Sequence, residues 1–265
     1  MKIITAKDNS NIKHISKLIK SASYRKECKQ FVIEGVRLCG DALESNVEII
    51  TVVVSQQCLN KNKSFIDKLT EVCESTLLLT DKLFSQISDT ATPQGIMCVC
   101  NTHLKPIKFK KEGVYLALEH LQDPSNIGTI LRTAEALGIN GVILTENCCD
   151  IYSPKVLRGT MGAVFRLSLL ICDNMSKMID ELHSLNITTI ATVLDKNAIP
   201  ITKLSNTDKK NCAILIGNEG NGLLHETSEK CKIKVTIPML GRAESLNASV
   251  ASAISMWEIL RGDNK

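Results

Sequence analysis

A chain of 265 residues, 44% hydrophobic but only 3% aromatic, is long enough for two compact bodies that each bury a core. Its apolar runs, such as Ile49 to Val54 and Ala213 to Ile216, are strand-length, too short to cross a bilayer. The opening Met-Lys-Ile-Ile-Thr-Ala-Lys-Asp lacks the features of a secretory signal, so a cytoplasmic protein without a membrane partner is expected.

The net charge of +4 is too mild to name a partner, but its distribution is uneven. Met1 to Arg37 carries nine Lys/Arg against three Asp/Glu, whereas Leu38 to Leu104 carries four against eight. A basic leading segment suits contact with a phosphate backbone, and a solvated helix face explains it equally well. The eleven cysteines include no Cys-x-x-Cys pair, and the five histidines are scattered. Reduced thiols and no metal are therefore expected.

In chain order, Asn9 or Ser10 can cap a first helix with Ile12, Ile15, Leu18 and Ile19 on one face and Lys13, Lys17 and Lys20 on the other. Phe31–Ile33 reads as a strand, the stretch through Val36, Cys39 and Leu43 as a helix, and Val47–Val54 as a strand. Phe65, Leu69 and Val72 mark another helix before strands at Leu77–Leu79 and Gly95–Cys100. This alternation predicts a small α/β domain over residues 1–104. Pro106 and the lysines at 105, 108, 110 and 111 interrupt it, giving an expected linker at 105–112.

From Gly113 on, the alternation is cleaner. Strands are predicted at Val114–Leu118, Gly141–Leu144, Ile187–Val193, Ala213–Ile216 and Ile233–Ile237, and helices at Ile127–Leu137, Met175–Leu185 and Leu246–Leu260. Near-continuous apolar strands separated by amphipathic helices imply a mostly parallel sheet covered on both faces. Ligands in such α/β sheets sit beyond the carboxyl ends of the strands.

Three loops at such ends carry candidate chemistry. In Asp123-Pro124-Ser125-Asn126-Ile127-Gly128, Ser125 or Asn126 can cap a helix, and Arg132 lies near the face of Asn126. A capped helix with a surface Arg is an equally good reading of that segment alone. In Gly217-Asn218-Glu219-Gly220-Asn221-Gly222, three glycines permit close backbone approach, but Leu223-Leu224 stands where a phosphate-binding loop needs Lys and Ser/Thr. Glu219 would repel a polyphosphate and suits a cationic or hydroxylic ligand. In Ile237-Pro238-Met239 through Ser245-Leu246-Asn247, Pro238 ends a strand and Ser245 can cap the last helix.

Together, Asn126-x-Gly128-x-x-x-Arg132, Gly217-Asn218-Glu219-Gly220-x-Gly222 and Ile237-Pro238-Met239 leading to Ser245-Leu246-Asn247 resemble the three signature motifs of the SpoU (TrmH-type) RNA 2′-O-ribose methyltransferases. The likeness covers residues 113–265, and Ser153 to Gly162 adds to it. Phe31-Val32-Ile33-Glu34-Gly35 and Thr92-Pro93-Gln94-Gly95-Ile96 are similar to the ribosomal-protein-like substrate-binding domain often fused ahead.

The resemblance implies a C-terminal α/β domain with a deep trefoil knot, S-adenosyl-L-methionine as cofactor, a homodimer, and an RNA substrate, expected to be ribosomal RNA. It assigns Asn126, Arg132, Glu219, Ser245 and Asn247 to catalysis. Thr192, Ile216, Gly217, Asn218, Gly220, Ile237, Met239 and Leu246 would hold the cofactor. Lys13, Lys17, Lys20, Arg25 and Arg158 would contact RNA. Arg132 is expected to stay protonated, binding phosphate and stabilising a developing alkoxide. The alternatives are a transfer-RNA 2′-O-methyltransferase and a non-catalytic RNA-binding protein.

Overall fold

The computed structural model describes residues 3–195 and 197–261. The chain forms two compact units, Met1–His103 with Asp150–Phe165, and Leu104–Cys149 with Arg166–Lys265. Among the described residues no helix is long and apolar enough to cross a membrane.

The first unit opens with β1 (Ile3–Ile4), α1 (Ser10–Lys20), α2 (Ala22–Cys28), β2 (Gln30–Glu34), α3 (Val36–Glu44) and β3 (Ile49–Ser55). It continues with α4 (Gln56–Lys61), α5 (Lys63–Val72), β4 (Ser75–Leu79), α6 (Asp81–Ile87) and β5 (Ile96–Asn101). The strands order as β1-β4-β3-β5-β2, with β5 antiparallel to both neighbours. Asn9 caps α1, and the helix buries Ile12, Ile15, Leu18 and Ile19 against Phe84, Met97 and Val99. That apolar burial, at about 25 cal/mol per Å2, holds the helix to the sheet.

Residues 150–165 complete this unit from far along the chain. Phe31 on β2 stacks on Tyr152 at 4.5 Å between centroids and meets Phe165 at 6.3 Å. Arg25 is only 5% exposed; its Nε donates to Asp150 Oδ2 at 2.7 Å, and Nη1 donates to the carbonyls of Leu18 and Ile19.

The second unit runs β6 (Val114–Leu118), α7 (Pro124–Ala136) and β7 (Gly141–Thr145), then gives up α8 (Pro154–Thr160) and most of α9 (Ala163–Arg166) to the first unit. It resumes with β8 (Leu169–Cys172), α10 (Met175–Ser184), β9 (Thr188–Thr192), β10 (Ile199–Pro200), α11 (Asn206–Lys210) and β11 (Cys212–Ile216). It closes with α12 (His225–Lys230), β12 (Ile233–Thr236) and α13 (Ala248–Leu260). The sheet order is β10-β12-β9-β11-β6-β7-β8, and every pairing is parallel. All residues of β6, β7 and β11 are buried, which accounts for their unbroken apolar sequence. β12, β9, β11 and β6 are consecutive, so the loops after Thr236, Thr192, Ile216 and Leu118 emerge side by side.

Two local expectations shift. Asp123 caps α7, with Pro124 in the first turn, rather than Ser125 or Asn126. Proline suits the first helical position and confines the preceding residue to extended backbone, the conformation a cap needs. Asn247, not Ser245, caps α13. The stretch expected as a linker packs onto the second unit: Ile107 and Phe109 join its core, and Leu169 N–H donates to Lys105 O at 2.9 Å.

Candidate active site

The site is assembled from the loops after β6 and β11 and the start of α13. Glu219 stands at the centre. Its Oε1 accepts from Asp123 N–H at 3.1 Å and Asn126 Nδ2 at 3.0 Å; its Oε2 accepts from Gln122 N–H and Asn218 Nδ2, both at 3.3 Å. Burial pulls this carboxyl upward, but the hydrogen bonds from Asn126 and the backbone amides prevail and hold it below the usual range. Asn126 is buried, and its Oδ1 accepts from Asn247 Nδ2 at 2.9 Å. Asn247 Oδ1 accepts from Ser249 N–H and Val250 N–H and so caps α13.

The orientation of this chain follows from its ends. An ionised carboxylate only accepts, so Asn126 must turn its amide nitrogen to Glu219 and its oxygen to Asn247. Asn247 must then offer its nitrogen to Asn126 and its oxygen to the helix amides. The amide orientations are thus fixed by chemistry at both ends.

Beside this chain lies a cleft of about 360 Å3. It is lined by Thr192, Ile216, Gly217, Asn218, Gly220, Ile237, Met239 and Leu246, together with Glu219 and Ser245. Asn126, Arg132 and Asn247 are outside its lining. Gly217 is required by geometry: a Cβ there would fall 2.0 Å from Gly222 C and 2.1 Å from Leu223 N. Thr192 Oγ1 is buried without a hydrogen-bond partner among the described residues, an acceptor and donor left for a ligand. A cleft of this size with mixed polar and apolar walls, loop backbone and one orphan hydroxyl fits a nucleoside-sized cofactor.

Arg132, on α7, is exposed and makes no side-chain hydrogen bond or ion pair among the described residues. Ser245 is exposed at the cleft. Of the expected RNA contacts, Lys13 pairs with Asp8 at 3.2 Å, Lys17 Nζ lies 5.3 Å from the Tyr24 ring centroid, and Lys20 is exposed. Arg158 pairs with Asp89 at 2.9 Å, both partly exposed. The structure places Arg25 in the interior, where its guanidinium is already committed to Asp150 and two carbonyls.

Sequence reasoning missed Glu119. It is 2% exposed, and its carboxylate accepts from Leu224 N–H at 2.8 Å and Thr227 Oγ1 at 2.6 Å, clamping the glycine loop to the end of β6. A carboxylate directly after the apolar run Val114–Leu118 was the available signal.

The profile of the SpoU rRNA Methylase family matches residues 113–257. The chain belongs to that family. An MRM3-like substrate binding domain matches residues 9–98. Among relatives of this SpoU chain is the 23S rRNA (guanosine(2553)-2'-O)-methyltransferase RlmP of Bacillus subtilis, 31% identical over 262 residues, 99% of this chain and 100% of that protein. An AdoMet-bound rRNA methyltransferase from Sinorhizobium meliloti superposes with a TM-score of 0.89 at 29% identity, covering 100% of this chain and 99% of that one. The SpoU methyltransferase AviRb of Streptomyces viridochromogenes, solved with AdoMet, shares the fold at 23% identity, with a TM-score of 0.86 over 96% of this chain and 98% of its own.

Proposed function

We propose that this SpoU protein transfers a methyl group from S-adenosyl-L-methionine to the 2′-hydroxyl of a ribose in ribosomal RNA. The observation that carries the reading is the cleft at the ends of β9, β11 and β12, bordered by the Glu219–Asn126–Asn247 chain. Thr192, Gly217 and the loop backbone around Ile237 and Leu246 would hold the cofactor. When bound, it supplies an electrophilic methyl on a sulfonium.

The chain's own residues then have to position a weak nucleophile. Glu219, fixed by four donors, holds Asn126 and Asn247 rigid at the edge of the cleft. Arg132, cationic and without a partner among the described residues, binds the phosphate next to the target ribose and stabilises the oxygen as its proton departs to water. Ser245 contributes a hydroxyl to ribose orientation. Arg132→Ala is expected to lower methyl transfer by about 100-fold or more, while the Kd for S-adenosyl-L-methionine stays within about twofold. Equal loss of RNA binding and turnover would remove the chemical role. Absence of cofactor binding at millimolar concentration would end the enzyme reading.

Ribosomal RNA as substrate is supported by what the B. subtilis relative is named for and by the match to a substrate-binding domain. Mapping 2′-O-methyl loss in total RNA from cells lacking the protein tests it, and loss confined to transfer RNA would overturn it. All eleven cysteines are free, which suits a reducing cytoplasm. The protein is read as a homodimer because α13 leaves the apolar side chains of Val250, Ile254 and Trp257 exposed at 45%, 38% and 54%.

A further inference from the structure

The first unit contains a cavity that methyl transfer does not use. It is an open pocket of about 340 Å3, close to the 360 Å3 of the cofactor cleft and within the usual size of ligand pockets. Three separated stretches wall it, at residues 34–41, 90–94 and 158–161. Gly35, at φ 101°, lets β2 turn directly into α3 and sets Glu34 and Arg37 on the same cavity.

Its polar groups are only half used. Glu34 Oε1 accepts from the Ser88 and Thr90 hydroxyls at 2.6 and 2.7 Å, which fixes the carboxylate while Oε2 has no hydrogen bond among the described residues. Gln94 Oε1 accepts from Val36 N–H at 2.8 Å, leaving its Nε2 without a partner among the described residues. The Arg37 side chain is exposed and makes no hydrogen bond or ion pair with any described residue. Arg158 is steadied by Asp89. Buried Leu38 and half-buried Met161 supply the apolar wall.

We propose that this cavity receives one unstacked nucleotide of the RNA strand. Its base lies against Leu38 and Met161, its edge is read by Glu34 and Gln94, and its phosphate meets Arg37 and Arg158. Sequence-selective RNA binding takes up splayed single-strand bases in this manner, and guanidinium groups match phosphate geometry. The lining balances Arg37 and Arg158 against Glu34 and Asp41, which disfavours a bare polyanion. It suits a ligand with a donor-bearing ring and a single anionic group. The proposal rests on the RNA methyltransferase reading and adds to it a substrate grip outside the reacting centre.

Binding of fluorescent single-stranded oligoribonucleotides of A, C and U to the full chain tests it, alongside calorimetry with S-adenosyl-L-methionine. Arg37→Ala and Thr92→Trp both alter exposed residues of the cavity rim, and circular dichroism checks that each folds. Each variant is expected to weaken oligonucleotide binding about fivefold or more. Arg37→Ala should also reduce the slope of log Kd against log salt by about one. The Kd for S-adenosyl-L-methionine should not move. Oligonucleotide affinities within twofold of wild type in both variants, or no oligonucleotide binding by the wild type, would overturn the nucleotide site. Loss of cofactor binding in the wild type would instead overturn the parent reading, and the oligonucleotide arm would still judge the cavity.

Discussion

Each oxygen of Glu219 accepts two donors, so replacing the carboxylate by an amide strands two of them whichever way the amide turns. Glu219→Gln is therefore expected to lower methyl transfer by about tenfold or more, since hydrogen bonds to a charged group are worth roughly 1.5–3 kcal/mol. Initial rates at saturating cofactor check this, and an unchanged rate would reject it. The carboxyl's folded pKa lies below its unfolded value, so its stabilisation is complete above about pH 4.3 and fades as pH falls through the folded value. The gap in urea midpoint between wild type and Glu219→Gln should close on acidification over that window. Arg25 carries the opposite lesson. Its charge read as an RNA contact, yet it lies buried among Asp150 and two carbonyls. Arg25→Ala should cost roughly 3 kcal/mol in urea unfolding, as removing one partner of a buried pair does, with little change in RNA affinity per folded molecule.

At the level of elements, Gly217 decides whether the cleft can exist. Gly217→Ala places a methyl about 2 Å from the backbone of Gly222 and Leu223, which no flexible side chain can relieve. A cost above about 4 kcal/mol is expected, seen as a fall in Tm of roughly 8 °C or more or as insoluble protein. A Tm within 2 °C of wild type would contradict the geometry. The same loop shows what the sequence could convey. Glycine density after a buried strand marked close approach, but not what approached. The parallel order of β12, β9, β11 and β6 was anticipated only as a sheet type; periodicity encodes which face is buried, not which strand lies next to which. The caps at Asp123 and Asn247 were misjudged because each had other capping residues close by; Pro124 discriminates at α7, and no such residue does at α13.

For the whole molecule, the exposed stripe of α13 yields the clearest expectation. The wild type should sediment at twice the chain mass and Trp257→Glu at the chain mass, because a charge in place of the most exposed side chain of that stripe opposes its burial. Trp257 is the chain's single tryptophan, so its emission reports the same association directly. A monomeric wild type would refute the dimer. The composition of the first unit was not legible in advance, since residues 150–165 sit between two elements of the second and bear no mark of belonging elsewhere. That arrangement has a consequence for how the protein is made. Tyr152 and Phe165, which cover Phe31, are translated more than a hundred residues after it. At about 5–20 residues per second, the N-terminal body waits on the order of ten seconds with an aromatic face uncovered. It cannot finish folding before its successor has begun.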